Sequence, residues 1–183
     1  MSNEVLRAIA DRRSIRQYKP EQITQEQLDI LLNAAVQSPS ARNSQPWHFT
    51  VVRDQSIVRE INEKACAALA KGGGVYANVR NIFYDAPTVI FISANKEATP
   101  WASLDCGIAA QTISLAAHSI GLGSVPLGLP GMAWGEDKAE NARLNALLKF
   151  PEGYSFALAI AVGYPAGTKE AHPVSEGHID IIG

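Results

Sequence analysis

Residues 11 to 20, DRRSIRQYKP, set Arg12, Arg13, Arg16 and Lys19 around a single hydroxyl, Ser14. Guanidinium groups at this density suit a phosphate, because each presents paired N–H donors in a fixed fork and the serine adds a compact neutral donor. The same run also reads as a basic turn whose charges are simply solvated, and composition leaves the two readings level. A second stretch, SPSARNSQPWHF (38 to 49), places Ser, Asn and Gln between Pro39 and Pro46. A stiffened backbone there carries amides that can match the alternating N–H and C=O edge of a planar polar heterocycle, although an ordinary helix-to-strand connection has the same composition. A third, GLGSVPLGLPG (121 to 131), is rich in glycine and proline and reads as a loop whose backbone can lie closely against a flat ligand.

Other chemistries find less support. The glycine-rich run is not the GxGxxG fingerprint, which needs a strand before it and a helix after it, and no Walker A sequence occurs. His48, His118, His172 and His178 lack metal-ligand spacing with Cys, Asp or Glu, so no metal is assigned. There is no G-x-S-x-G elbow, Cys106 lies in an apolar segment where thiols are usually inert, and no carboxylate pair for acid–base work stands out. No side chain is therefore assigned a catalytic role.

Composition bounds what remains. With 183 residues, 46% hydrophobic content and a net charge of -2, residues 1–183 are expected to form a single globular domain. A pI near 6.1 argues against a nucleic-acid binder, so the local basic cluster points to a small anion. Cys66 and Cys106 show no CxxC spacing, and the opening MSNEVLRAIA lacks the apolar core of a signal peptide. These features predict free thiols in a reducing cytoplasm. The longest apolar stretch, 101 to 123, is interrupted by Asp105, Gln111, Thr112 and His118, and predicts no membrane span.

The elements that must position these residues follow from periodicity. NEVLRAI carries Val5, Leu6 and Ile9 as a short helical stripe ending at the basic cluster. TQEQLDILLNAAVQS is a helix with a capping box at Thr24 and Gln27 and a face of Leu28, Leu31, Leu32, Ala35 and Val36. WHFTVV reads as a buried strand, and a helix runs from about Ser56 to Lys71. TVIFISA after Pro87 is a central strand, and residues 101 to 123 form a helix apolar on all sides, the mark of a core axis or a subunit interface. A helix from about Glu136 to Leu148 and the strand FALAIAVGYP complete an α+β order of helix, helix, strand, helix, strand, helix, helix, strand.

Taken in order, RRSIRQY, SPSARNSQPWHF, DAPTVIF, DCGIAAQTISLAAHSIGLGS and ALAIAVGYP resemble the flavin-dependent nitroreductase family over nearly the whole chain. The resemblance implies an α+β fold with a central, mainly antiparallel sheet flanked by helices, in an intertwined homodimer with FMN at each of two sites in the interface. It implies that Arg12, Arg13, Ser14 and Arg16 hold the phosphate and ribityl chain, one arginine also reaching the pyrimidine edge. Pro39, Ser40, Ala41 and Asn43 would come from the partner subunit to line the flavin, with Gln45 supporting their loop. Pro126, Leu127 and Gly128 would lie near N5. NADH or NADPH would deliver hydride to N5 and leave, and a nitroaromatic, quinone or related small-molecule acceptor would follow in ping-pong order. Such an enzyme needs no catalytic side chain, because the cofactor carries the reaction.

Two features depart from the family pattern. A basic residue commonly follows the GYP block to reach the phosphate, and here only Lys169 and His172 are available. The segment before DAP is short, which implies an open acceptor pocket. The terminal HIDII is too short for a strand by itself, and the resemblance implies that the tail crosses onto the partner. A flavoenzyme with one dedicated substrate, or a non-catalytic flavin-binding redox sensor, is the alternative on the same fold.

Overall fold

The computed structural model describes residues 3–171 and 177–183. Helix α1 (Glu4–Asp11) starts where the Asn3 side chain accepts the Leu6 N–H at 2.9 Å, and it buries none of its residues. Helix α2 (Gln25–Val36) has the expected capping box: Thr24 Oγ1 accepts the Gln27 N–H at 3.1 Å, and Gln27 Oε1 accepts the Thr24 N–H at 3.0 Å. Its Leu28, Leu31 and Ala35 are buried, whereas Val36, expected on the same face, is the last helical residue and is about half exposed.

Strands β1 (Trp47–Val52), β2 (Thr88–Asn95), β3 (Gly123–Leu127) and β4 (Tyr154–Gly163) form an antiparallel sheet in the order β1-β2-β4-β3. Helices α3 (Gln55–Gly72), α4 (Ala102–Ser119) and α5 (Lys138–Leu147) complete the α+β architecture. Alternation along β2 divides the core: Phe91 joins Ile61, Leu69, Phe83 and Leu144 on the face covered by α3 and α5, while Ile90 and Ile92 join Leu31, Ile113 and Ile160 under α2 and α4. Each of these side chains removed from water contributes about 1.5–3 kcal/mol. The β2–β4 pair, at the centre of the sheet, supports everything else.

Three expectations need correction. WHFTVV is an edge strand, buried only at Trp47 and Val52, because just one of its sides has a partner. GSVPL, expected within a loop, is strand β3. Its pairing with Val162 and its neighbours on β4 overrides the local glycine and proline signals. Pro126 is tolerated because β3 is also an edge strand. Helix α4 is apolar all round as expected, but within one chain it is not buried all round: Leu104 and, just before the helix, Trp101 are 63% and 57% exposed, leaving one side open.

The basic segment is threaded along β3 and the chain after β4. Ile15 N–H donates to Ser124 O at 3.0 Å, Lys19 N–H to Tyr164 O at 2.9 Å, and Ala166 N–H to Gln17 O at 2.9 Å. The Tyr18 hydroxyl donates to Ile15 O at 2.7 Å, and burial holds its pKa well above the ordinary phenol range. The crossing at β3 requires glycine: a Cβ on Gly123 would meet the Ile15 side chain at 2.9 Å, whereas one on Gly167 would meet only the movable end of Gln17, its Oε1 at 2.6 Å.

Candidate functional site

This threading brings Arg12, Arg13, Ser14 and Arg16 to one end of the molecule. A cavity of about 340 Å³ there is lined by Arg12, Arg13, His118, Ser124 and Lys169 among others. An adjoining one of about 290 Å³ is lined by Ser14, Arg16, Gln17, Thr168 and Lys169. Among the described residues, no carboxylate lies within 4.0 Å of any of these four cations. Their orientation comes from backbone acceptors instead: Arg13 Nη1 donates to Ala10 O at 2.6 Å, and Arg16 Nη1 to Ser14 O at 3.3 Å. The Arg16 guanidinium also lies 5.7 Å from the centre of the Tyr84 ring. Arg12 Nε and Arg13 Nε are buried with no partner among the described residues. Clustered, undercompensated cations with orphaned donors are the electrostatic complement of a bound anion.

The sequence leaves the basic residue after GYP open between Lys169 and His172. Lys169 lines both cavities, whereas His172 lies outside the described residues. His118, expected to be structural, also faces the larger cavity. The only sequence signal for it is a polar side chain in the last turn of an otherwise apolar helix.

The amide loop is built differently. Arg42, Asn43 and Gln45 have φ of 55°, 55° and 44°, the left-handed region that residues with a Cβ seldom occupy. Each such residue costs about 1–2 kcal/mol, less for asparagine. Two backbone bonds, Asn43 N–H to Ser40 O at 3.0 Å and Ser44 N–H to Ala41 O at 3.1 Å, and three that use side chains, Gln45 N–H to Ser40 Oγ at 2.9 Å, Gln45 Nε2 to Asn43 Oδ1 at 3.0 Å and Ala41 N–H to Asp105 Oδ1 at 3.1 Å, hold the shape. Asp105, at the start of α4, shows in the sequence only as an interruption of an apolar stretch.

Pro126 and Leu127 belong to β3 and Gly128 follows it, so they lie along the strand from Ser124, which the basic segment bridges. The basic cluster and the β3 end are thus neighbours. The 39–45 loop is not adjacent to the cluster within one chain. It is tied to Asp105, while the cluster shares its cavity with His118, and these residues lie about 20 Å apart along α4 at roughly 1.5 Å of rise per residue.

Side chains that could react are subdued. Burial, with the adjacent Asp105 charge, pushes the Cys106 thiol up to about 11, and burial also raises Cys66. Among the described residues no cluster of three or more His, Cys, Asp or Glu is arranged to hold a metal. Among the same residues, no helix is long and apolar enough to cross a membrane.

Comparison with known proteins adds to this geometry. A family model described as "Nitroreductase family" matches residues 9–164. The crystal structure of a nitroreductase with bound FMN from Desulfitobacterium hafniense superposes with a TM-score of 0.94, at 32% identity and with 100% of both chains covered. A Thermus thermophilus protein named NADH dehydrogenase is 31% identical over 91% of this chain and 88% of its own. A Bacillus subtilis protein named FMN reductase [NAD(P)H] is 29% identical over 93% of this chain and 70% of its own.

Proposed function

The chain belongs to the nitroreductase family, and from that premise we propose that it is an FMN-dependent NAD(P)H:acceptor oxidoreductase working as a homodimer. The observation that carries this reading is the set of cations Arg12, Arg13, Arg16 and Lys169 around Ser14, none of them in an ion pair among the described residues although Asp11 lines the same cavity, beside the Gly- and Pro-containing end of β3. The donor set fits FMN: the cations match a dianionic phosphate, the amides of Asn43 and Gln45 match a heterocycle edge, and the backbone after Leu127 can approach a flat ring. When bound, the cofactor supplies two-electron chemistry at N5, taking hydride from NADH or NADPH and passing electrons to a second substrate such as a nitroaromatic or quinone.

The protein's own part is to bind and orient. Arg12, Arg13, Ser14, Arg16 and Lys169 would hold the phosphate and ribityl chain, and the positive field would favour negative charge on the ring. Pro39, Ser40, Ala41 and Asn43 would line the ring of the partner subunit's site, with Gln45 supporting their loop, and Pro126, Leu127 and Gly128 would lie on its N5 side. With Cys106 and Cys66 held as thiols and no acid–base pair in place, no side chain is asked to react.

Separation and exposure support the homodimer. One chain holds its two halves of the site about 20 Å apart along α4, and a second copy can bring its loop to the first copy's cations. Val5, Leu6 and Ile9 of α1, Trp101 and Leu104 at the start of α4, and Ile179, Ile181 and Ile182 of the tail all carry exposed apolar surface suited to that contact.

The reading is tested by the visible spectrum of the purified protein before and after anaerobic NADH or NADPH. Flavin bands that bleach with one donor support it and identify the donor. A colourless protein that takes up no added FMN overturns it. Bound flavin that neither donor reduces removes the hydride half of the proposal.

A further inference from the structure

Asp105 is 3% exposed, and among the described residues its carboxylate has neither a cation partner nor a hydrogen-bond partner for Oδ2. A buried carboxylate in this condition needs a reason. Its place in the first turn of α4 supplies part of one, since the positive end of the helix dipole favours the charge, and Trp101 provides no side-chain cap there. Its one hydrogen bond supplies the rest. Oδ1 accepts the N–H of Ala41, the residue immediately before the left-handed run at Arg42 and Asn43.

The other bonds in the loop, Ser40 Oγ with the Gln45 N–H, Gln45 Nε2 with Asn43 Oδ1, and the backbone pairs Asn43 N–H to Ser40 O and Ser44 N–H to Ala41 O, stay inside it. They fix the loop's shape but not its attitude to the rest of the protein. Asp105 is the side chain that ties this shape to α4, on a rigid element of the core. Ser38 Oγ, just before the loop, and Ser44 Oγ, within it, are also buried without partners among the described residues.

We propose that Asp105 is a positioning residue of the flavin site: by accepting the Ala41 N–H, it sets the orientation in which residues 39–45 are presented to the cofactor. This rests on the reading that the loop lines FMN. Because the loop would serve the partner subunit's ring, Asp105 acts across the interface without touching the cofactor. Its effect belongs to the ring and not to the phosphate.

The test titrates apoprotein with FMN and with riboflavin, which lacks the phosphate, for wild type, Asp105→Ala and Asp105→Asn. The apoprotein's unfolding midpoint and the visible circular dichroism of bound flavin are read alongside. The alanine variant is expected to weaken FMN and riboflavin by the same factor, on the order of 10-fold, with altered dichroism. Asparagine keeps a carbonyl acceptor and is expected to restore most of the affinity. Unchanged riboflavin affinity in the alanine variant overturns the inference while leaving the flavin site standing. The same holds if asparagine is as impaired as alanine, or if FMN alone is weakened. Should alanine fail to fold, the asparagine variant and its dichroism decide. Wild-type apoprotein that binds neither ligand overturns the site reading and this inference together.

Discussion

Ile15 and Ser124 are joined by a backbone hydrogen bond of 3.0 Å, and the Cβ that Gly123 lacks would lie 2.9 Å from the Ile15 side chain. The arginines therefore take their position from an extended segment pressed against β3. Gly123→Ala is expected to cost about 1–3 kcal/mol, as overpacking does. It should also weaken FMN binding by displacing Ser14 and its neighbours. Denaturant unfolding and flavin titration of the same variant check both effects, and unchanged flavin affinity would show that the segment accommodates the methyl group without moving the cations.

Arg12→Ala and Arg16→Ala should each weaken FMN about 10- to 100-fold, since a hydrogen bond to a charged group is worth about 1.5–3 kcal/mol. Riboflavin binding should change little for Arg12→Ala. Fluorescence quenching of each ligand by apoprotein measures this, and equal losses for the two ligands would place Arg12 on the ring.

Lys169→Ala should reproduce the phosphate-selective loss with a smaller magnitude, a few-fold, because a lysine acts as a mobile point charge and not as a fork. The salt dependence of FMN binding should become shallower in this variant. A variant with wild-type affinity and salt slope would remove Lys169 from the site.

Cys106 gives a pH dependence of definite sign. Its pKa is raised from 9.0 to about 11 by burial and the neighbouring Asp105 charge. The group's contribution is present in full below pH 9.0 and lost as pH rises through about 11. Wild-type unfolding free energy should therefore fall across that window by on the order of 2 kcal/mol more than in Cys106→Ala, a tenfold change in proton affinity being worth about 1.4 kcal/mol. Parallel curves would show that the thiol is not held in this way.

Removing residues 176 to 183 should shift the proposed dimer toward monomer on dilution, because Ile179, Ile181 and Ile182 are almost fully exposed on one chain and offer apolar surface to a second copy. Sedimentation over a range of concentrations checks it. A truncated protein with the wild-type dissociation constant would exclude the tail from the interface.

How far the sequence is legible depends on how local each signal is. Helix α2 can be read because the Thr24–Gln27 box and the leucine stripe lie within one short stretch. Strand β3 cannot, since its pairing with β4 is remote in sequence and its own residues, Gly123 and Pro126, argue for a turn. The basic cluster is visible as a phosphate candidate, but the cavities it shares with Lys169 and His118 need the threading of residues 12–19 beside the chain after β4. Asp105 is legible only as a polar break. Its partner Ala41 is 64 positions away, and no periodicity connects them.

Pro126 carries a consequence for self-association. Ser124 sends its carbonyl outward to Ile15, and the two-residue alternation of a strand directs the nitrogen of Pro126 to that same outer side, where it has no hydrogen to give. One position on this border is already engaged and another is chemically mute, so a wandering strand finds no continuous ladder along β3. Among the four strands described, the border left for sheet growth is that of β1. Fibril-like stacking along both borders, which an unprotected sheet permits, is closed to this protein on the side where its cations lie.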